Sequence, residues 1–436
     1  MNDILFENAV IVTVDFNDRV IKNGYLGVKD DKIVYMSDIK PSDKYSKVID
    51  AKGNVLMPGL INCHTHIAMN ILRGYADDYN LHTWLNDYIY KAEAKLDVKC
   101  IITGVKLAIY EMLSTGTTCF NDMYFNIDEI ANEVLRLGIK ANIVNGAICF
   151  DEIYAPENDR GFKEFNQVHN KYNCNKIDNG RIKIDVGIHG IYTSVKELWQ
   201  FWSDIALRNK LNIHMHMCET IKEVEDCKLK YDKTPIELVD EYGLFKNNTI
   251  LAHCVYLNDK DLEILAKNNV NIAHNPVSNL KLGSGIANIY NMKQKGINVC
   301  LGTDGVASNN TLDLFEEVKL SALLAKGITN NPESITANDV IKMATINGAK
   351  ALNRDEEIGS LEVGKKADII MIDFNNINHI PTYDYISAIA YNTTGKDVLM
   401  TMIDGKILYE NGKVLNIDLD KIRKELEGYV VPKIIN

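Results

Sequence analysis

The chain has 436 residues, of which 46% are hydrophobic and 25% are charged, and its net charge at pH 7 is −11. This composition is typical of a globular protein with one large core and room for a smaller satellite domain. The acidic balance argues against nucleic acid as a partner, because a phosphate backbone requires a basic face. The sequence has no apolar run of about 18 residues, so we expect no membrane segment and no membrane partner.

The amino terminus and the cysteines indicate where the protein acts. Asp3 and Glu7 stand where a secretory signal would carry basic residues. The nine cysteines are scattered and include no CxxC pair, so the sequence indicates neither a disulfide framework nor a thiolate zinc site. Three of them, Cys119, Cys254 and Cys300, lie in apolar runs and are best explained as buried thiols. We therefore expect a cytoplasmic protein.

Residues 1–56 have the pattern of short strands separated by turns. Residues 9–14 are apolar and rich in β-branched side chains, and candidate strands follow at residues 25–28 and 32–36. Before the first of these two candidate strands, Asn23-Gly24 has the composition of a hairpin turn. This segment is too short to bury a core by itself.

A similar pattern returns in residues 358–436. An apolar strand at residues 367–372 is followed by two turn pairs, Asp404-Gly405 and Asn411-Gly412, which indicate a second hairpin. Because neither end of the chain is complete alone, we predict one small β-sandwich built from both termini.

Residues 57–357 alternate apolar strands with helical segments, the pattern of βα units around a parallel sheet. Residues 127–138, for example, show apolar side chains at 3.6-residue spacing and then a stopping glycine. The eight candidate strands end at His64-Thr65-His66, Asn121-Asp122, Asn145, His189, His216, His253, His274-Asn275 and Asp304. Eight repeats predict a (β/α)₈ barrel. An open doubly wound sheet would instead carry a glycine-rich loop after its first strand.

The ends of these strands supply candidate metal ligands. His64 and His66 alternate with Thr65, so on a strand their side chains share one face and make half of a metal site. In a barrel the carboxyl ends of the strands converge, and His216 and Asp304 complete a set of three imidazoles and one carboxylate that suits Zn²⁺ or Fe²⁺. His214 is the rival for His216. We prefer His216 because it lies nearer the strand end, which leaves His214 as a buried or supporting residue.

Three side chains are candidates for moving protons. Glu219 lies three residues after His216 and could carry protons between water and a substrate nitrogen. The alternative is a solvated glutamate beside a helix at residues 221–230. His253 could be a second-metal ligand, an electrophile for a developing oxyanion or a core histidine. Asp304, in LGTDG, could both bind metal and accept a proton from the water.

Five motifs occur in an order that resembles the amidohydrolase superfamily, and within it the branch of cytosine/adenosine-deaminase-like enzymes that includes methylthioadenosine/S-adenosylhomocysteine deaminases. They are PGLINCHTH, HMHMCET, LAHCVYL, HNPVSNLKLGSG and LGTDGVASNN. The resemblance implies one divalent metal, Zn²⁺ with Fe²⁺ as the alternative, held by His64, His66, His216 and Asp304. It also implies Glu219 as the proton shuttle, with His253 and Asp304 completing the catalytic set. Members with two metals carry a lysine at the end of strand four, where this chain has His189.

The same resemblance implies substrate contacts. Glu93 and Trp84 match a segment whose glutamate hydrogen-bonds ribose hydroxyls, although both could simply belong to a helix beside the barrel mouth. His189 matches a histidine that lies over the nucleoside. We therefore expect Glu93, Trp84, His189 and Glu219 to contact substrate.

Asn145 departs from the family pattern. Deaminases that act on S-adenosylhomocysteine tend to carry an arginine at this position after strand three, where it would bind the carboxylate of the amino-acid tail. We expect Asn145 to line the substrate site, and its identity favours adenosine, 5′-deoxyadenosine or methylthioadenosine. Arg160 or Arg73 could replace the missing arginine.

The predicted function is hydrolytic deamination of an adenine nucleoside to the inosine analogue and ammonia by a metal-activated water, in a homo-oligomer with a small-molecule substrate. The alternative within enzymes is a deaminase or chlorohydrolase acting on another purine, pyrimidine or triazine ring, such as guanine. A barrel that has lost catalysis would usually lack a ligand, and a cyclic-amide hydrolase normally needs the two-metal lysine.

Overall fold

The computed structural model describes residues 3–151, 153–174 and 180–435. Its strands, in chain order, are β1 (Asp3–Val12), β2 (Val20–Lys29), β3 (Lys32–Ser37), β4 (Lys47–Asp50), β5 (Val55–Pro58), β6 (Leu60–Thr65), β7 (Thr117–Tyr124), β8 (Lys140–Asn145), β9 (Ile182–Ile188), β10 (Ile213–Met217), β11 (Thr249–His253), β12 (Asn271–His274), β13 (Asn298–Leu301), β14 (Ile369–Ile372), β15 (Val398–Ile403), β16 (Lys406–Glu410) and β17 (Lys413–Val414).

Strands β6 to β13 form an eight-stranded parallel barrel in which each strand pairs with the next along the chain. The first and last strands meet where the backbone N–H of Asp304 donates to the carbonyl of His64 at 2.9 Å. Beside this bond the side chains of Asn62 and Thr303 are 2.7 Å apart. The predicted (β/α)₈ barrel is confirmed, and its closure places Asp304 directly against the strand that carries His64.

The helices surround the barrel and follow its strands. The α-helices are α1 (Leu81–Thr83), α2 (Tyr90–Glu93), α3 (Val98–Ser114), α4 (Ile127–Leu137), α5 (Arg160–His169), α6 (Lys196–Asn209), α7 (Ile221–Tyr231), α8 (Pro235–Glu241), α9 (Asp259–Lys267), α10 (Pro276–Lys281), α11 (Ile289–Gln294), α12 (Val306–Asn309), α13 (Leu314–Thr329), α14 (Ala337–Met343), α15 (Ile346–Ala351), α16 (Tyr385–Tyr391), α17 (Leu419–Glu425) and α18 (Val431–Ile435). Helix α4 buries its apolar stripe and ends at Gly138, whose φ of 88° suits glycine. Within the described ranges, no helix is long and apolar enough to cross a bilayer.

A second sheet is built from both ends of the chain, as predicted. Strands β1–β5 and β14–β17 form one nine-stranded sheet, in which β5 pairs with both β1 and β14. One face of this sheet encloses an apolar cluster of its own, which includes Phe6, Leu26 and Ile369. The boundaries 1–56, 57–357 and 358–436 remain predictions.

The predicted hairpin turn at Asn23-Gly24 is wrong, because strand β2 runs straight through this pair. Asn23 has φ of 52°, and the register of β1 against β2 shifts at this point. Side chains that tolerate the left-handed region serve bulges as well as turns. The observed turn lies further on, at Asp30-Asp31, between β2 and β3.

Buried ion pairs join the barrel to the terminal sheet at the amino-terminal end of β8. Lys140 Nζ lies 2.6 Å from carboxylate oxygens of both Asp368 and Asp404. Arg181 Nη2 lies 2.6 Å from the other oxygen of Asp404. Because β8 ends at Asn145, these charges lie at the end of the barrel opposite its mouth.

Candidate active site

Five predicted side chains converge at the carboxyl ends of the barrel strands. His64, His216, His253 and Asp304 are buried, and each presents an atom within 4.8 Å of the others. His66 Nε2 lies 3.2 Å from His216 Nε2 and 3.2 Å from Asp304 Oδ1. The centre thus combines imidazole nitrogens with one carboxylate, and the assignment of His64, His66, His216 and Asp304 as the ligands remains a prediction.

Backbone carbonyls fix the tautomers of His66 and His216. His66 Nδ1 lies 2.6 Å from the carbonyl oxygen of Met123, and His216 Nδ1 lies 2.6 Å from that of His189. A carbonyl can only accept, so each Nδ1 carries a proton, and in the neutral ring each Nε2 presents a lone pair. Two lone pairs 3.2 Å apart repel each other unless a cation lies beside them.

His64 is oriented by a relay through His214. The carbonyl of Ile250 accepts from His214 Nδ1 at 3.0 Å, so His214 Nε2 is free to accept from His64 Nδ1 at 2.8 Å. His64 Nε2 is then left as a lone pair 3.3 Å from Asp304 Oδ1. This buried nitrogen has no hydrogen-bond partner among the described residues. His214 therefore lies behind His64 rather than at the centre.

The electrostatics of the centre fit a divalent cation. Burial lowers the pKa of His64 to about 4, and burial likewise holds the pKa of His216 well below its usual value, so both rings present the neutral form that binds metals. At His66 burial is outweighed by the hydrogen bond and charge of Asp304, which raise the pKa to about 9. Positive charge is favoured at this position, and nitrogen and oxygen donors suit Zn²⁺ or Fe²⁺.

The Asp304 carboxylate is held so that one oxygen faces the histidines. Its Oδ2 accepts from the hydroxyls of Ser278 at 2.7 Å and Ser308 at 2.8 Å. Asp304 has φ of 62° and His253 has φ of 74°, a region that is unfavourable for residues other than glycine. Strained backbone of this kind concentrates at functional sites.

Glu219 lies just beyond β10 and is only 2% exposed. Its Oε2 is 3.9 Å from His253 Nε2, and its Oε1 lies 3.4 Å from Ser284 Oγ. Burial raises the pKa of Glu219, which favours the protonated form that a proton donor needs. His253 Nδ1 lies 2.7 Å from Asn279 Oδ1, which orients the ring so that its Nε2 faces Glu219.

The centre forms the floor of a cavity of about 430 Å³, a size typical of small-molecule sites. Trp84 and Glu93 line it from a helical segment that includes a π-helical turn at Trp84–Ile89. The hydroxyl of Tyr124 donates to Glu93 Oε1 at 2.6 Å, which fixes that carboxylate. His189 lines the same cavity, with Nδ1 2.9 Å from Thr193 Oγ1.

Comparison with known proteins identifies the family. The model of the Amidohydrolase family matches residues 55–408, and that of the BsNagA composite domain matches residues 3–54. The chain belongs to the amidohydrolase family. It is 43% identical to a 5′-deoxyadenosine deaminase of Methanosarcina acetivorans over 98% of this chain and 97% of that protein. It is 41% identical to a 5-methylthioadenosine/S-adenosylhomocysteine deaminase of Acetivibrio thermocellus over 97% of each.

A solved structure agrees with these relatives. An adenosine deaminase from Xanthomonas campestris with bound zinc superposes with a TM-score of 0.93 at 30% identity, covering 99% of this chain and 98% of the other. The predicted amidohydrolase resemblance and the prediction of a metal-dependent hydrolase acting on a C–N bond are confirmed. The family and the donor set together support a divalent metal.

The predicted site residues of this amidohydrolase line the cavity with two exceptions, Asn145 and His64, which is fully buried. The residues that line it include His66, Trp84, Glu93, His189, His216, Glu219, His253 and Asp304. Asn145 is not among them, and its Oδ1 lies 3.4 Å from the backbone N–H of Gly187. Of the two arginines considered as replacements, Arg160 lines the cavity, whereas Arg73 pairs with Glu111.

Sequence reasoning missed the residues that hold the site in place. Ser278 and Asn279 both lie in the motif HNPVSNLKLGSG, but the sequence does not tell which of its polar side chains reach Asp304 and His253. Tyr124 was missed because β7 runs two residues past the predicted end at Asn121-Asp122. Its hydrogen bond to Glu93 joins residues 31 positions apart in the sequence, and a local sequence pattern does not predict such a contact.

Proposed function

We propose that this amidohydrolase hydrolyses the 6-amino group of an adenine nucleoside, giving the inosine analogue and ammonia. The observation that carries the proposal is one cavity lined by His66, His216 and Asp304, with His64 buried beside them, and by the fixed carboxylate of Glu93. The named activities of the relatives at 41–43% identity support it. A divalent ion at the floor would lower the pKa of water toward neutrality and so supply the nucleophile.

The chain's own residues divide the proton transfers between them. Asp304 accepts the proton of the attacking water, because its carboxylate Oδ1, which also accepts from the backbone N–H of Gly305, faces the histidines. Glu219 donates to the ring nitrogen next to the reacting carbon, because burial raises its pKa and it lies within the cavity lining. His253 borders both groups and stabilises the negative charge that develops as the tetrahedral carbon forms. Asp304 then gives the proton it took from water to the amino group, which leaves as ammonia, and the proton of the new hydroxyl passes to Glu219 as the C6 carbonyl forms.

Three finer assignments belong to the same proposal. Zinc is our choice of metal, since three imidazoles and a carboxylate suit it and the similar adenosine deaminase from Xanthomonas campestris contains it. We also propose that the protein is a homo-oligomer in the cytoplasm. The nine cysteines, which form no disulfides among the described residues, support a reducing compartment.

Glu93 is proposed to recognise the ribose hydroxyls. Glu93→Gln should raise KM for methylthioadenosine roughly 10-fold or more with a smaller change in kcat, because a hydrogen bond to a charged group contributes about 1.5–3 kcal/mol. The measurement is steady-state kinetics on the metal-loaded enzyme. The matched control is the 2′,3′-dideoxy analogue, for which wild type and variant should differ little. An equal loss with both substrates would show that Glu93 acts on the fold or the metal instead.

Arg160 decides whether an amino-acid tail is accepted. Its side chain is exposed at the cavity and lies 3.5 Å from Asn126 Oδ1, so a carboxylate can approach it. Arg160→Gln should raise KM for S-adenosylhomocysteine severalfold. The KM for methylthioadenosine should be unchanged, because this substrate lacks the carboxylate. Equal effects on both substrates would remove the tail-binding role of Arg160.

The direct test of the function is a screen of Zn²⁺-loaded protein against adenosine, 5′-deoxyadenosine, methylthioadenosine, S-adenosylhomocysteine, guanine and cytosine, followed by the change in ultraviolet absorbance on deamination. We expect turnover of the nucleosides and none of the free bases. Turnover of guanine or cytosine alone would support the alternative reaction on another ring. Turnover of none, in protein with full metal content, would contradict the proposal.

A further inference from the structure

Strands β6 and β7 lose their regular pairing where β6 carries its histidines. Asn62 pairs with Phe120 and Thr65 with Asp122, so three steps along β6 match two steps along β7. A shift of this kind takes backbone groups out of the ladder, and buried backbone groups need other partners. Side chains of β7 provide them, beginning with Asn121 Nδ2, which donates to the carbonyl of Cys63 at 3.1 Å.

Asp122 provides two more bonds from a single oxygen. Its Oδ1 accepts from the backbone N–H of Ile67 at 2.7 Å and from the hydroxyl of Thr65 at 2.9 Å. Asp122 itself is fully buried. Thr65 and Ile67 directly precede and follow His66, so one carboxylate oxygen holds the chain on both sides of that histidine.

The next residue of β7 completes the arrangement, because the carbonyl of Met123 accepts from His66 Nδ1 at 2.6 Å. The imidazole of His66 is therefore oriented by β7 through its ring and through both of its chain neighbours. We propose that Asp122 is a positioning residue of the metal centre, which fixes His66 Nε2 relative to the bound ion. This inference rests on the proposed function, because it assumes that His66 binds a metal.

A second buried aspartate shows what a purely structural role would look like. Asp185, in β9, accepts from the backbone N–H of Asn212 at 2.9 Å and from the side chain of Asn142 at 2.6 Å. Asn212 directly precedes β10, so Asp185 lies toward the amino-terminal ends of the strands, away from the histidines. Asp122 and Asp185 are alike in burial and in accepting hydrogen bonds. They differ in that only Asp122 holds the residues that flank His66.

The test is the affinity of the full-length protein for Zn²⁺, measured by competition with a chromogenic chelator. Asp122→Ala should weaken Zn²⁺ binding about 10- to 100-fold, the usual effect of losing a partner that orients a ligand. Asp122→Asn keeps an acceptor oxygen and should bind within about threefold of wild type. Asp185→Ala should lower the thermal midpoint and leave the Zn²⁺ affinity unchanged.

Each outcome decides the inference. An Asp122→Ala loss below fivefold, or a loss that Asp122→Asn does not rescue, would overturn it. If Asp122→Ala does not fold, Thr65→Val is the deciding variant. It keeps the side-chain volume and removes the hydroxyl, one of the two donors to Asp122 Oδ1. Unchanged Zn²⁺ affinity in that variant would also overturn the inference. Failure of wild type to bind Zn²⁺ would instead count against the proposed metal site. Affinity is read without substrate, so an error in the substrate assignment does not affect the result.

Discussion

Glu219→Gln is expected to lower kcat for adenine nucleosides by about 10²- to 10⁴-fold, the range in which general acid–base groups contribute. The substitution is isosteric and keeps an oxygen that can accept from Ser284. It removes the proton that a buried carboxyl with a raised pKa can carry. Glu219 is not among the four predicted ligands and its nearer carboxylate oxygen lies 3.9 Å from His253 Nε2, so the metal content of the variant should equal that of wild type.

The control for Glu219 is Glu225→Gln, a change of the same kind at an exposed position of α7, which should leave kcat unaltered. The measurement is kcat and KM of both variants at equal metal content. A Glu219→Gln enzyme within tenfold of wild type would assign the proton transfers to Asp304 and His253 instead. A drop that accompanies metal loss would make Glu219 a ligand rather than an acid.

The fold of this protein could be predicted from sequence because its signals are local. Apolar strands that each end in a polar residue fixed both the number of barrel strands and the end at which the site lies. The terminal sheet was visible through turn pairs such as Asp404-Gly405. The same reasoning failed at Asn23-Gly24, because residues that accept a left-handed backbone serve a bulge as readily as a turn.

The candidate site could be predicted from the sequence less completely than the fold. Residue type and position along a strand predict which side chains reach the mouth of a barrel, and this brought His64, His66, His216 and Asp304 together. What a side chain does there depends on partners distant in sequence. The carbonyl of Ile250, for example, sets the tautomer of His214 and through it that of His64. For Asn145 the predicted position at the end of a strand is correct, since β8 ends there, but its side chain is not among those that line the cavity.

His216→Ala is expected to abolish stoichiometric metal binding and activity together, whereas His214→Ala should retain the metal with affinity reduced about 10- to 100-fold. The two histidines are two residues apart on β10 and were rivals for the same role in the sequence. The structure separates them. His216 Nε2 faces His66 Nε2 at 3.2 Å, while His214 Nε2 accepts from the far side of His64.

Metal removal provides the readout that does not depend on substrate. A ligand that binds only the folded state stabilises it by about 2.7 kcal/mol at a free concentration 100 times its dissociation constant. Chelation should therefore lower the free energy of unfolding of wild type by that amount under those conditions, and leave His216→Ala unchanged because it holds no metal to lose. His214→Ala should respond to chelation, but by less than wild type at the same Zn²⁺ concentration. Loss of the response in His214→Ala, with retention in His216→Ala, would reverse the assignment of the ligand on β10 and make His214 the residue that binds.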